Sequence, residues 1–346
     1  MDGKIGPNAP LANLMARVLR PVRSGIHDKI NTEIISTEEA LYHIQEFNNN
    51  NVASEFNQRT QPSRGCRVPN IQINDIQVGS MDVTGLYPNC KVQNTIIKIE
   101  ESINNCGLVF NQINREFLTK FVSVLTKGVI PDKNLQNFLQ VPKFRTTLNS
   151  FLTRQEENQF QGPPINNPGD LSHVQVRSLL AIAASRSTKV VMENHYYQIG
   201  GKIYRQKEGS AIGVDLSVES CSLYMTNWDK MFLDKLKRLC ITVNLYFRYV
   251  DDIVIGLRGI HHGWYYSTLL KKMIFDADRV PVLPGDQHTF FQLQLIANSL
   301  DSDIQLTVDT PSQNESGQLP VLDLGLSVVN NKICHTFYSS LSSNYN

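Results

Sequence analysis

The sequence predicts an α+β fold, and three observations carry that expectation. Strand-like runs alternate with helix-period segments at irregular intervals, unlike the regular alternation of a parallel sheet. The 346 residues are 41% apolar and 19% charged, which suits a packed core and argues against wholesale disorder. No internal repeat is visible, so neither a solenoid nor a propeller is indicated. Length alone sets a prior of about two domains, or one large domain with a lobe.

Charge narrows the function classes. Thirty-three Lys and Arg against thirty-two Asp and Glu leave a net charge of +1, which excludes nucleic-acid binding through bulk charge but leaves a local basic groove open. No run of eighteen apolar residues exists, so no membrane partner is expected. The N-terminus lacks a continuous apolar stretch of signal-peptide type. Six scattered cysteines without a C-x-x-C pair predict reduced intracellular thiols rather than a disulfide frame or a zinc site.

In chain order, the first thirty residues are short and basic, with Lys4, Arg17, Arg20, Arg23 and Lys29 against Asp2 and Asp28. Ser36-Thr37-Glu38-Glu39 predicts a helix start with Thr37 as N-cap, and Asn48 to Asn51 as its end. Residues 71–83 alternate in strand fashion, with slips that predict a turn near Asn74-Asp75. Leu86-Tyr87-Pro88-Asn89 is a break, and a mostly helical stretch is expected from Val92 to about Leu139. Residues 156–169 carry three prolines and several asparagines and predict a loop. A helix is expected from Leu171 to about Thr188, then a hairpin around Gly200-Gly201, then a long helix from Val214 to about Leu239. Strands should flank Asp251-Asp252, helices should cover 265–275 and 289–299, and the end should return to strands from Ile304 to Tyr338.

The chemistry-bearing residues stand at the ends of these strands. Asp251 and Asp252 lie side by side between two apolar runs in FRYVDDIVIG. Adjacent like charges repel unless a cation neutralises them, and magnesium favours carboxylate oxygen while leaving positions for phosphate and water. Taken alone, the pair is better read as a solvated turn, and it is Asp82 that shifts the balance. Asp82 ends another strand-like run, and alone it would fit a helix N-cap. Together the three acids could hold two metal ions about 3.5–4 Å apart, an arrangement that serves phosphoryl transfer. Gln206-Lys207-Glu208-Gly209-Ser210-Ala211-Ile212-Gly213, with Ser217 beyond, places two glycines four apart before a long helix. Such glycines let a backbone approach a base or sugar closely, or simply make a turn into a helix.

The order of these pieces resembles the palm of reverse transcriptases, and most closely the Penelope-like retroelement family, itself similar to telomerase catalytic subunits. The resemblance rests on Asp82 followed five residues later by Tyr87, then Q-x-x-G-x-x-x-G, then Tyr249-Val250-Asp251-Asp252. Leu19 to Ser24 resembles that family's basic element of the fingers. His195-Tyr196-Tyr197 with Gly201 to Gln206 resembles the hairpin before its Gln-Gly motif. Ile304 to Asp309 and Leu319 to Asp323 resemble a segment near the palm's end. The likeness spans residues 17 to 338. The D-x-x-x-LYP string is also similar to family B DNA polymerases, whose second acidic motif YVDD does not fit.

The resemblance implies a right-hand polymerase fold, with an antiparallel palm sheet backed by helices and a helical fingers lobe. It implies Asp82, Asp251 and Asp252 as catalytic metal ligands for two magnesium ions, with manganese as a substitute and the Val83 carbonyl as a further ligand. Tyr87 would sit under the incoming sugar, or else be a packing tyrosine. Gln206, Gly209 and Gly213 would shape the nucleotide pocket, and Arg20 and Arg23 would hold the triphosphate, with Lys4 a weaker candidate; a solvated basic stretch also accounts for the arginines. The implied division is 1–70 as N-terminal fingers, 71–92 as first palm segment, 93–195 as helical insertion and 196–346 as palm. Two departures are mild: Ile212 replaces the family's methionine and Val218 its proline. Only eight residues follow Tyr338, so a thumb and a GIY-YIG nuclease are expected to be absent from this sequence, with another chain as a candidate source. The implied function is an RNA-directed DNA polymerase core of a retroelement or a gene derived from one. It would act on deoxynucleoside triphosphates and a primed RNA or DNA template in an intracellular, nuclear setting. The alternative is a nucleic-acid-binding remnant without chemistry.

Overall fold

The computed structural model describes residues 9–30, 32–55, 70–106, 172–211 and 213–337. Lys4, Ile212, the helical expectation beyond Cys106, the loop at 156–169 and Tyr338 lie outside them. The chain divides into two compact units, residues 1–29 with 87–227 and residues 30–86 with 228–346.

The first unit is mainly helical. It contains α1 (Ala9–Ile30, all but its last residue), α4 (Val92–Asn105), α5 (His173–Glu193) and the part of α6 (Asp215–Arg238) up to Asn227. A one-turn helix, α3 (Leu86–Asn89), replaces the expected break and begins the unit's second stretch. The core is assembled from Leu19 and Val22 of α1, Ile99 and Ile103 of α4, Ala183 and Ala184 of α5, and Leu216 and Leu223 of α6. Helix α5 starts on a reciprocal cap: Ser172 Oγ accepts from the Gln175 amide, and the Gln175 side chain accepts from the Ser172 amide. The expected hairpin is β2 (Tyr196–Ile199) and β3 (Lys202–Arg205), closed by Gly200 and Gly201 at φ of 56° and 78°. Positive φ at both turn positions is the type I′ geometry for which glycine is suited.

The second unit is built on an antiparallel four-stranded sheet in the order β4-β5-β1-β8, where β1 is Gln72–Val83, β4 Val243–Tyr249, β5 Asp252–Ile260 and β8 Leu306–Asp309. The alternation along β1 separates two faces. Ile76 and Val78 join Phe247 and Val254 in a core with α2 (Thr37–Glu55) and the three-stranded sheet β9 (Leu319–Val321), β10 (Leu324–Val329) and β11 (Lys332–Phe337). Gly79 faces the other way, toward α7 (Gly285–Asn298), where an added Cβ would stand 2.6 Å from the Phe290 ring. Glycine there lets the buried Phe290 lie against the strand itself.

Four local expectations are corrected. Residues 265–275 are a hairpin, β6 (Trp264–Ser267) and β7 (Lys272–Phe275), and not a helix. The residues a helix would have buried, Leu269 and Leu270, are 89% and 55% exposed in its turn, while Tyr266 is buried and its amide donates to Gln292 Oε1 of α7 at 2.8 Å. Asn74-Asp75 is not a turn: β1 runs through it, and a register shift between Gln72 and Ile76 absorbs the slip. Ser36 caps α2 in place of Thr37, accepting from the Glu39 amide at 3.3 Å. Helix α2 passes through the asparagines, because Asn48 exchanges two 2.9 Å hydrogen bonds with the Ile333 main chain and so holds its place beside β11.

Candidate functional site

The sheet of the second unit brings the predicted acids to one end. Asp82, next to last in β1, is directly opposite Asp252, the first residue of β5. Tyr249 is opposite Asp252 on the other side, so Val250 and Asp251 form a two-residue turn. Asp82 and Asp252 continue the row of Val78 and Val254, which makes the row apolar in the core and acidic at its end. The Val83 amide donates to the Asp251 carbonyl at 3.3 Å, which ties the turn to the end of β1. The Val83 side chain is buried.

Proximity shows in the electrostatics. Burial, then the Asp251 charge, raises the Asp82 carboxyl above its ordinary value. Asp252 is likewise raised by burial and then by the charges of Asp251 and Asp82. Like charges across adjacent strands destabilise the pairing. Among the described residues, no three His, Cys, Asp or Glu side chains converge into a ready-made metal cage. The donor set nonetheless fits magnesium, which takes hard oxygen ligands, binds through one or two carboxylates and fills its other positions with water and substrate phosphate. Cross-strand Asp82 and Asp252 supply that pair, with Asp251 beside them.

The turn that carries Asp251 is strained and braced. Val250 has φ of 57°, while Asp251 does not share the positive φ, which is the type II′ pattern. Glycine is usual at that first position, and a β-branched residue there costs on the order of 1–3 kcal/mol. The Val250 carbonyl accepts a 2.7 Å hydrogen bond from Arg248 Nη1. Arg248 is fully buried, and its Nε donates to Asp229 Oδ2 at 2.9 Å. Asp229 also accepts from Tyr246 Oη at 2.6 Å and from Thr32 Oγ1 at 3.2 Å, and Glu33 lies 3.7 Å from the guanidinium. Burial raises the Asp229 carboxyl, an effect opposed by the Arg248 charge and these donors. Burial and the neighbouring Asp229 push the Tyr246 hydroxyl well up, so it stays a donor. None of Arg248, Asp229 or Glu33 emerged from the sequence reading; the available signal was one arginine inside the otherwise apolar LYFRY strand.

The other residues singled out in the sequence lie in the first unit. The Tyr87 carbonyl in α3 accepts from the Ser210 amide at 2.7 Å, which joins the acidic motif's trailing tyrosine to the Gln-Gly loop. Gln206 Nε2 donates to the carbonyls of Glu208 and Ser210 at 2.9 and 3.3 Å, so this side chain braces its own loop. Gly209, at φ of 77°, approaches Pro88: an added Cβ would lie 2.6 Å from Pro88 Cα. Gly213, at φ of 86°, has open space around it. The close approach expected of these glycines is thus, at Gly209, to the protein's own backbone. Arg20 and Arg23 sit on either side of Pro21 within α1 and both reach Glu219 of α6, at 2.9 and 3.2 Å. Glu219 is buried, whereas the Arg20 side chain is 63% exposed. No sequence pattern announced Glu219 as their partner.

No family model matches the sequence, and no curated protein matches it. Among solved structures, a chain from the telomerase of Candida albicans, in complex with the TWJ fragment of telomeric RNA, is similar with a TM-score of 0.46 at 13% identity. The match covers 92% of this chain and 38% of that one, so this chain spans well under half of its length. Among the described residues, no helix is long and apolar enough to cross a membrane.

Proposed function

We propose that the chain is a template-directed nucleotidyl transferase, and more narrowly an RNA-directed DNA polymerase core. The observation that carries this reading is Asp82 set opposite Asp252 across β1 and β5, with Asp251 in the adjoining turn. Two divalent cations held by such carboxylates supply charge stabilisation for the attacking and leaving oxygens of an in-line displacement. The protein's own part is to hold the acids as carboxylates at the sheet's end, despite their mutual repulsion, and to keep the Asp251 turn in one shape. The Val83 carbonyl is proposed as a further ligand. Tyr87 is proposed to wall off the sugar 2′ position, and Gln206, Gly209 and Gly213 to form the loop that meets the nucleotide. Arg20 and Arg23 are proposed to hold a triphosphate, exchanging the Glu219 carboxylate for phosphate oxygen. Deoxynucleoside triphosphates and a primed RNA or DNA template are the proposed substrates.

One observation favours the other reading, a nucleic-acid-binding remnant: the three acids do not converge into a metal cage among the described residues. Primer extension on an RNA template with magnesium separates the two. Wild type should extend, while Asp251→Asn and Asp82→Asn should lose extension and keep their far-UV circular dichroism. Wild-type extension by Asp82→Asn would sink the three-carboxylate site, and duplex binding without extension in magnesium or manganese would establish the remnant.

A further inference from the structure

We propose that Arg248, anchored by Asp229, is a positioning residue that locks the Val250–Asp251 peptide and thereby sets the direction in which Asp251 leaves the hairpin. The inference rests on the reading of Asp82, Asp251 and Asp252 as the metal-holding set.

Two-residue hairpin turns come in two forms that differ by a flip of the central peptide. Type II′ has positive φ only at the first position, and type I′ has it at both. Here the central peptide joins Val250 to Asp251, and its carbonyl is the one that accepts from Arg248 Nη1 at 2.7 Å. In the flipped turn this carbonyl would leave the guanidinium and Asp251 would move to positive φ. Aspartate tolerates that conformation, and Val250 keeps a positive φ in either form, so Asp251 itself does not oppose the flip. The guanidinium holds the turn against that flip.

Arg248 is built for this task. Its planar fork uses Nε on Asp229 and Nη1 on Val250 at once, a geometry that a lysine ammonium cannot reproduce. Its main chain is pinned on the free edge of β4, with its amide donating to Thr32 at 2.7 Å and its carbonyl accepting from Ile34 at 2.8 Å. Arg248 and Asp229 are both fully buried, so water does not compete for these bonds. The consequence reaches Asp82 through the chain: the Asp251 carbonyl accepts from the Val83 amide, one residue from Asp82.

The test uses the full chain with Arg248→Met combined with Asp229→Asn, which removes both charges of that pair, leaves an amide oxygen to accept from Tyr246 and takes the guanidinium from Glu33, 3.7 Å away. Replacing a buried ion pair by neutral groups of similar volume is often tolerated. Arg248→Lys, which keeps Asp229 paired, is the second variant should the double variant not fold. Three readouts apply to each folded variant: amide hydrogen exchange at Val83, Mn2+ binding followed by electron paramagnetic resonance without nucleic acid, and primer-extension kinetics. Loss of one charge-assisted hydrogen bond predicts Val83 exchange faster by about tenfold or more, and Mn2+ bound about tenfold more weakly. The extension kcat should fall while the primer–template KM changes by less than about twofold. A folded variant with wild-type Val83 protection and Mn2+ affinity would overturn the positioning role and leave the polymerase reading standing. Loss of Val83 protection in a protein whose wild type neither binds Mn2+ nor extends primers would support the peptide lock and overturn the polymerase reading.

Discussion

Gly209→Ala and Gly213→Ala should differ sharply in stability, although the two glycines share a motif and both have positive φ. At Gly213 the new methyl meets nothing within 4 Å, so its cost is the left-handed backbone alone, on the order of 1–2 kcal/mol. At Gly209 the same backbone cost applies, and the methyl also lands 2.6 Å from Pro88 Cα and 2.7 Å from Pro88 C, which are backbone atoms and cannot rotate aside. Overpacking of that kind adds about 1–3 kcal/mol. Relief by moving the loop would strain the 2.7 Å bond from Ser210 to Tyr87, worth a further ~0.5–1.5 kcal/mol. The expected gap between the variants is therefore about 1.5–4.5 kcal/mol. With a urea slope of about 1–3 kcal/mol/M, the Gly209→Ala midpoint should fall roughly 0.5–4.5 M below that of Gly213→Ala. Far-UV circular dichroism across a urea titration measures this. Equal midpoints would refute the argument that Gly209 is glycine because Pro88 crowds it. An inactive Gly209→Ala variant of wild-type stability would return that glycine to contact with a ligand.

Three other outcomes are expected. Tyr87→Val should raise ribonucleotide incorporation relative to deoxyribonucleotide, because a wall that discriminates by clash affects the disfavoured substrate most when removed; an unchanged ratio in an active variant would make Tyr87 a packing residue. The raised carboxyls of Asp82 and Asp252 mean that the folded state holds protons the unfolded state has released, so without metal their penalty is absent below the ordinary aspartate range and grows as pH rises through the raised values. Asp252→Asn should therefore melt higher than wild type at neutral pH without metal, magnesium should narrow that gap, and a pH-independent difference in melting temperature would contradict the coupling. Glu219→Gln should weaken the clasp on Arg20 and Arg23 and lower KM for the nucleoside triphosphate if those guanidiniums take phosphate; a lower melting temperature with unchanged KM would leave the pair a structural one.

Much of the candidate site was legible in local pattern. Alternation at period two located β1, β4 and β5, and it put Asp82 and Asp252 at strand ends where an acid is tolerated. Gly200-Gly201 between two strand-like runs foretold the β2–β3 hairpin, because a tight turn with two positive φ angles has few other residues to choose from. Where local pattern was ambiguous, burial decided: WYYSTLLKKMIF supports a helix as well as a hairpin by residue type, and only the packing of Tyr266 on α7, with Leu269 and Leu270 left outside, selects the hairpin.

By itself, then, the sequence determined which end of which strand Asp82 and Asp252 occupy, since that follows from periodicity over a few neighbours, while the roles proposed for them came from the resemblance. The tertiary structure alone decided who partners them. It joined residues 30–86 to 228–346, paired Asp82 with the distant Asp252, gave Arg20 and Arg23 to Glu219, set Gly209 against Pro88 and closed Arg248 between Asp229 and the Val250 carbonyl. The physical reason is that a buried charge must find its counter-charge wherever folding brings one. That choice depends on distance in space and on exclusion of water, and neither leaves a period in the sequence.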